Sequence, residues 1–185
     1  MTERVAVFID GNNLYYALKN DLKRTELDFA RFVDKIVDER SLVRVYYYNV
    51  SARKEDGEQR WKSQQAFFNY IRELPYFELK LGRLAGPPGK TREKGVDIMM
   101  AVDMLMKAQR NNYDTAILVS GDGDLAYVVN AVKDYGKHVE NVITQRSQSR
   151  ELRYSCDIHT FLTSEYIEDC CFDDPQTAPC HRGSL

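Results

Sequence analysis

No stretch of this 185-residue sequence approaches the ~20 consecutive apolar residues that a bilayer-spanning helix needs. The first residues, "MTERVAVF", contain no basic leader, no extended apolar segment and no small-residue cleavage site, so export is not expected. These absences predict a cytoplasmic protein with no membrane association, in which the sequon Asn49-Val50-Ser51 carries no sugar. Cysteine is missing until Cys156, and the four present (Cys156, Cys170, Cys171, Cys180) crowd the last thirty residues. That distribution is not a secreted disulfide framework. His159 and His181 lie nearby, but adjacent Cys170-Cys171 lacks the C-x-x-C spacing that turns two thiolates toward one zinc, so reduced thiols are expected.

What remains is a soluble composition, 43% hydrophobic and 29% charged, long enough to bury one domain core. The formal charge of −2 hides an asymmetry. Residues 151–185 hold two basic against seven acidic side chains, and the rest holds 24 against 21. A mildly basic body with an acidic tail is compatible with a polyanionic partner.

Strand and helix patterns alternate along the chain. Strands are expected at Arg4-Ile9, Leu42-Tyr48, Phe77-Leu84, Thr115-Val119 and His138-Thr144. Helical spacing is expected at 14–22, 28–40, 59–73, 96–110 and 125–135, with a last helix at Glu151-Leu162. "AGPPGKTREKG" reads as a basic Pro/Gly loop. Helix 96–110 is apolar on nearly all sides, which predicts extensive burial. Its methionines, Met99, Met100, Met104 and Met106, read as adaptable core filling. Strands alternating with helices imply a parallel sheet covered on both faces.

"VAVFIDGNN" and "AILVSGDGDL" each run from a buried strand into acid and glycine. Ligands of open parallel sheets bind beyond the carboxyl ends of the strands, where the strand order reverses. Asp10 and Asp122 converge there if their strands are neighbours. Asp97, in the first turn of the next helix, is expected at the same edge. Asp103 falls about 240° further around that helix at ~100° per residue, so it reads as a satisfied buried group. Each acid also has a plainer reading, with Asp124, Asn12 or Asn13 as helix caps. "GDGD" is not an EF-hand calcium loop, because Ala126 stands where a third oxygen ligand is required. Asp10, Asp97, Asp122 and Asp124 offer hard oxygen donors suited to Mg²⁺ or Mn²⁺, and such crowded carboxylates need a cation to relieve their repulsion. Lys90, Arg92 and Lys94 on one loop, with Arg53, Lys54, Arg60 and Lys62 around Trp61, could contact a nucleic-acid strand.

"FIDGNNLY", "KGVDIMMAVDML" and "LVSGDGDLAYVV", in that order, resemble the NYN domain, a branch of the PIN-like metal-dependent ribonucleases. The resemblance implies a three-layer α/β/α PIN-like fold, its mainly parallel five-stranded sheet ordered 3-2-1-4-5. The resemblance covers roughly residues 4–162, so the domain is expected at residues 1–165; residues 166–185 form an acidic tail whose end, from about Asp173, has two prolines, a glycine and few apolar groups and is expected to lack fixed structure. The resemblance further implies Mg²⁺ or Mn²⁺ held by Asp10, Asp97, Asp122 and Asp124 as catalytic acids, with RNA as the partner, single-stranded or structured. Asn13, Lys94, Ser120 and Arg92 would contact substrate or order the site, and a homodimer is left open. Two competing functions remain. One is a non-catalytic RNA-binding or regulatory module of the same family. The other is a haloacid-dehalogenase-like phosphatase, disfavoured because Asn12 occupies the position of the second acid its chemistry requires.

Overall fold

Strand β1 (Arg4–Asp10) has buried side chains throughout its last six residues, as a central strand covered on both faces demands. A computed structural model describes residues 2–86 and 92–173. Around β1 lie β2 (Ser41–Val50), β3 (Phe77–Ala85), β4 (Arg92–Lys94), β5 (Thr115–Val119), β6 (His138–Ile143) and β7 (Ile158–Phe161). The helices are α1 (Gly11–Ala17), α2 (Phe29–Val37), α3 (Glu58–Glu73), α4 (Val96–Gln109), α5 (Ala126–Asp134) and α6 (Arg150–Ser155).

The seven strands run in the order β4-β3-β2-β1-β5-β6-β7. All neighbours are parallel except β4, which folds back antiparallel on β3. The expected order 3-2-1-4-5 survives as β3-β2-β1-β5-β6, and the sheet reverses between β1 and β5 as anticipated. The count of five does not hold: among the described residues six strands are parallel, and the short β4 makes a seventh. The additional parallel strand comes from the segment expected to be one closing helix. Ser149 caps that helix by accepting from the Leu152 N–H at 3.2 Å, but it ends at Ser155. Asp157 then joins the edge of β6, its N–H donating to Val139 O at 2.8 Å and its carboxylate accepting from Val139 N–H at 2.9 Å. The β-branched and aromatic run Ile158–Phe161 continues as β7, where pairing with β6 outweighs a weak helical pattern.

Alternate residues of β1 feed two separate cores. Val5, Val7 and Ile9 pack beneath α1–α3 with Leu14, Phe29, Phe32, Phe67 and Phe68. Ala6 and Phe8 pack beneath α4–α6 with Met100, Met104, Tyr113 and Leu152. This is the three-layer α/β/α arrangement. Helix α4 is less buried than its composition predicts. Val96, Met100, Met104 and Ala108 meet the sheet, whereas Ile98 and Val102 are 71% and 53% exposed. As part of an outer layer, the helix lays one i, i+4 stripe on the strands and turns the opposite stripe outward.

Packing also continues past the expected boundary at residue 165. Cys170 and Cys171 are buried, the Asp28 N–H donates to Cys170 O at 2.8 Å, and the Phe172 N–H donates to Glu26 O at 3.0 Å. The acidic segment therefore belongs to the fold as far as that contact, its apolar and thiol groups closing the base of α2. Residues 174–185 lie outside the described residues. Among the described residues no helix is long and apolar enough to cross a membrane.

Candidate active site at the carboxyl edge of the sheet

Asp10 is the last residue of β1, and its side chain is only 7% exposed. It caps α1, its Oδ1 accepting from the Asn13 N–H at 3.0 Å. The strand therefore runs straight into the helix, whose first residue is Gly11. Gly11 must be glycine, because a Cβ there would lie 2.3 Å from Tyr47 Oη and 2.7 Å from Asn49 Nδ2.

On the neighbouring strand β5, Ile9 pairs with Val119, so Ser120 and the loop beyond it emerge beside Asp10. The Gly121 N–H donates to Asn13 Oδ1 at 2.8 Å, tying the two strand ends together. That bond commits the Asn13 amide oxygen to the protein's own backbone, where orientation of a ligand or water had been expected. Ser120 is fully buried, and its Oγ accepts from the Asp122 N–H at 3.2 Å. Asp122 in turn caps the following turn, its Oδ1 accepting from the Asp124 N–H at 3.0 Å. The cap role suspected of Asp124 or the asparagines thus falls to Asp10 and Asp122.

Asp97 enters from the first turn of α4. Its carboxyl group titrates above the ordinary range, first because it loses water and then because Asp122 and Asp124 repel its charge. Asp97 therefore feels two acids some 25 residues further along the chain at one edge, with Asp10 on the adjoining strand end. A raised carboxyl pKa stabilises the folded state at low pH, and that contribution is lost as pH rises through the folded-state pKa. The metal-free Asp97→Asn protein is accordingly expected to melt higher than wild type at pH 7. The gap should close at pH 3, where wild-type Asp97 is protonated, as thermal unfolding at both pH values will show.

Among the described residues, no three Asp, Glu, His or Cys side chains stand close enough to hold an ion as they are. Mg²⁺ does not require such a cage, since it keeps several waters and binds through one or two carboxylates. The donor chemistry of this edge, all hard oxygen with a charge repulsion to relieve, fits Mg²⁺ or Mn²⁺.

Asp103 does not belong to the group. Tyr48 Oη and Lys107 Nζ each donate to it at 2.8 Å, and these bonds hold its carboxyl below the ordinary range despite burial. Burial pushes the Cys156 thiol up to about 12 and the Cys170 thiol up to about 11, which keeps both neutral. Lys94 is exposed on β4; Lys90 and the side chain of Arg92 lie outside what is described. Around half-buried Trp61 the expected basic rim is largely occupied. Arg53 donates to Leu84 O and Gly86 O at 2.8 and 2.9 Å, and Lys54 and Lys62 share Glu58 at 4.0 and 3.0 Å.

One acid at this edge was not foreseen. Glu151, in the first turn of α6, brings Oε2 to 3.1 Å from where a Cβ on Gly123 would stand, between Asp122 and Asp124 in sequence. A depression of about 910 Å³ lined by Glu3, Arg4, Asp114 and His138 lies at the opposite, amino edge. There Arg4 already neutralises Asp114 at 2.7 Å, and ligands of parallel sheets bind at the other end.

A family model for the NYN domain matches residues 4–165, and the chain belongs to that family. It is 28% identical over 164 residues to the low amplitude and bright protein LabA of Synechococcus elongatus, covering 83% of this chain and 81% of LabA. The crystal structure of a Vibrio parahaemolyticus protein of unknown function superposes with a TM-score of 0.73 at 23% identity, over 89% of this chain and 95% of that one. At that identity the likeness speaks for the fold. The family places the chain among PIN-like, nuclease-type proteins.

Proposed function

We propose that this NYN protein is a divalent-metal-dependent endoribonuclease that hydrolyses RNA phosphodiester bonds at the carboxyl edge of its sheet. The observation that carries the reading is that Asp97, already deprived of water, also feels the negative charges of Asp122 and Asp124, at the sheet edge where the buried carboxylate of Asp10 ends β1. A protein with no use for a cation has little reason to hold these charges together. Asp10, Asp97, Asp122 and Asp124 would hold Mg²⁺ or Mn²⁺, which when bound supplies charge neutralisation at the phosphate and acidifies an attacking water. The chain's own contribution is placement. Asp10 and Asp122 are fixed by the N–H groups they cap, and Asn13 holds the β5 loop against β1. Ser120 secures the Asp122 backbone from beneath, and exposed Lys94 supplies positive charge on β4; Arg92 is proposed to join it in contacting substrate.

Incubation with end-labelled single-stranded RNA and Mn²⁺ tests this reading. Fragments should appear, and both EDTA and Asp10→Asn should abolish them. Tight RNA binding with no fragments at any Mn²⁺ concentration would instead identify a binding module.

A further inference from the structure

We infer that RNA reaches the acidic edge along the flank formed by the β6–α6 turn, α6 and β7, and that this flank binds it as a single strand. The inference rests on the ribonuclease reading above. Arg146 lies in the turn after β6, and Arg150 and Arg153 sit three residues apart on α6, where side chains share a face. All three are exposed. Among the described residues none of them forms an ion pair, whereas Arg31, Lys35, Arg40, Lys107 and Lys133 all do. The acids close by are otherwise placed. Asp157 pairs with Lys133 at 2.8 Å, and Glu151 lies against Gly123.

Aromatic rings accompany these cations. The Arg150 guanidinium lies 5.6 Å from the Tyr154 ring centre, and that of Arg153 lies 5.9 Å from the Phe161 ring. His159 stacks on Phe161 at 11°, and Tyr154 is 73% exposed. Guanidinium planes and exposed rings take up unstacked bases, while the cations track phosphates. A duplex keeps its bases stacked and gains nothing from the rings, which selects a single strand. The flank also begins at the site itself, because the Ser149 N–H, one residue before α6, donates to Gly121 O at 3.0 Å. Acids that repel phosphate need uncommitted cations beside them if a polyanion is to approach, and these arginines supply that charge.

Fluorescence anisotropy of a labelled single-stranded RNA of about twelve nucleotides, within the usual footprint of such grooves, tests the flank in EDTA, where no cleavage occurs. Arg150→Gln/Arg153→Gln should weaken binding about tenfold and flatten the log Kd against log salt slope by roughly 1.4, the value for two lost phosphate contacts on a single strand. Tyr154→Ala should weaken it about fivefold through lost stacking. Lys54→Gln/Lys62→Gln, whose cations share Glu58, should leave it unchanged. Wild-type affinity and slope in the double-arginine variant would overturn the inference, as would tighter binding of a duplex of equal length. Cleavage kinetics in Mn²⁺ separate the two proposals. Wild-type cleavage with an unchanged KM in the arginine variant removes the flank and leaves the nuclease. Arginine-dependent binding without any cleavage removes the nuclease and leaves the flank.

Discussion

Asp122→Asn should lower Mn²⁺-dependent RNA cleavage by at least about 10³-fold, the loss expected when several kcal/mol of metal-borne charge stabilisation disappear, while the protein stays folded. The two halves of this expectation have separate causes. Asparagine keeps the side-chain oxygen that accepts from the Asp124 N–H, and Asn and Asp are near-equal helix caps. Circular dichroism and melting temperature should therefore be close to wild type. The charge is lost, and with it one of the two repulsions that raise Asp97, so the Asp97 carboxyl should titrate lower when followed by NMR. Asp122→Ala should be equally inactive but about 1 kcal/mol less stable, since it loses the cap as well. An asparagine variant that unfolds, or one that cleaves normally, would separate Asp122 from the chemistry.

Gly121→Ala is expected to damage the fold itself. An added Cβ would stand 1.9 Å from the carbonyl oxygen of Ser147 and 2.7 Å from its carbon. That backbone has little room to retreat. The Ser147 N–H donates to Thr144 O at 3.2 Å, the Ser149 N–H holds Gly121 O at 3.0 Å, and the Ser147 hydroxyl donates to Asp21 at 2.8 Å. Overpacking against fixed backbone should cost ~3 kcal/mol or more, lowering the melting temperature by roughly 6–12 °C for a chain of this size. Gly123→Ala is the control two residues away. Its new methyl would meet the Glu151 carboxylate at 3.1 Å and the Ser149 side chain at 3.2 and 3.3 Å, contacts that a movement of a few tenths of an ångström relieves, so the cost should stay near ~1 kcal/mol. Equal melting temperatures for the two variants would mean that the 144–149 loop does not sit against Gly121 as described.

Much of this edge was legible in the sequence because the signal is local. A buried strand ending in acid and glycine marks the carboxyl edge at both Asp10 and Asp122, and the reversal between β1 and β5 then brings those ends together. The angular argument that set Asp103 apart from Asp97 also agrees with the structure, for Asp103 is satisfied by Tyr48 and Lys107. What was not legible depends on short elements and tertiary contact. A six-residue α6 followed by a four-residue β7 gives too few residues for helical and strand periods to separate, so the two merge into one apparent helix. Glu151 and the arginines of α6 come near the acids only because the preceding loop crosses Gly121, a contact that no spacing within "RSQSRELRYS" reveals. The glycine at 121 was the available clue, since a loop can approach that closely only where there is no side chain.

The account turns on whether the acids at the ends of β1 and β5 and the start of α4 share a cation. An anomalous-difference map of a crystal soaked in Mn²⁺ measures this directly. The expected map has its strongest peak among Asp10, Asp97, Asp122 and Asp124, with the peak lost from Asp122→Asn crystals. A soaked crystal that shows Mn²⁺ only elsewhere, with these four carboxylates unchanged, would contradict it.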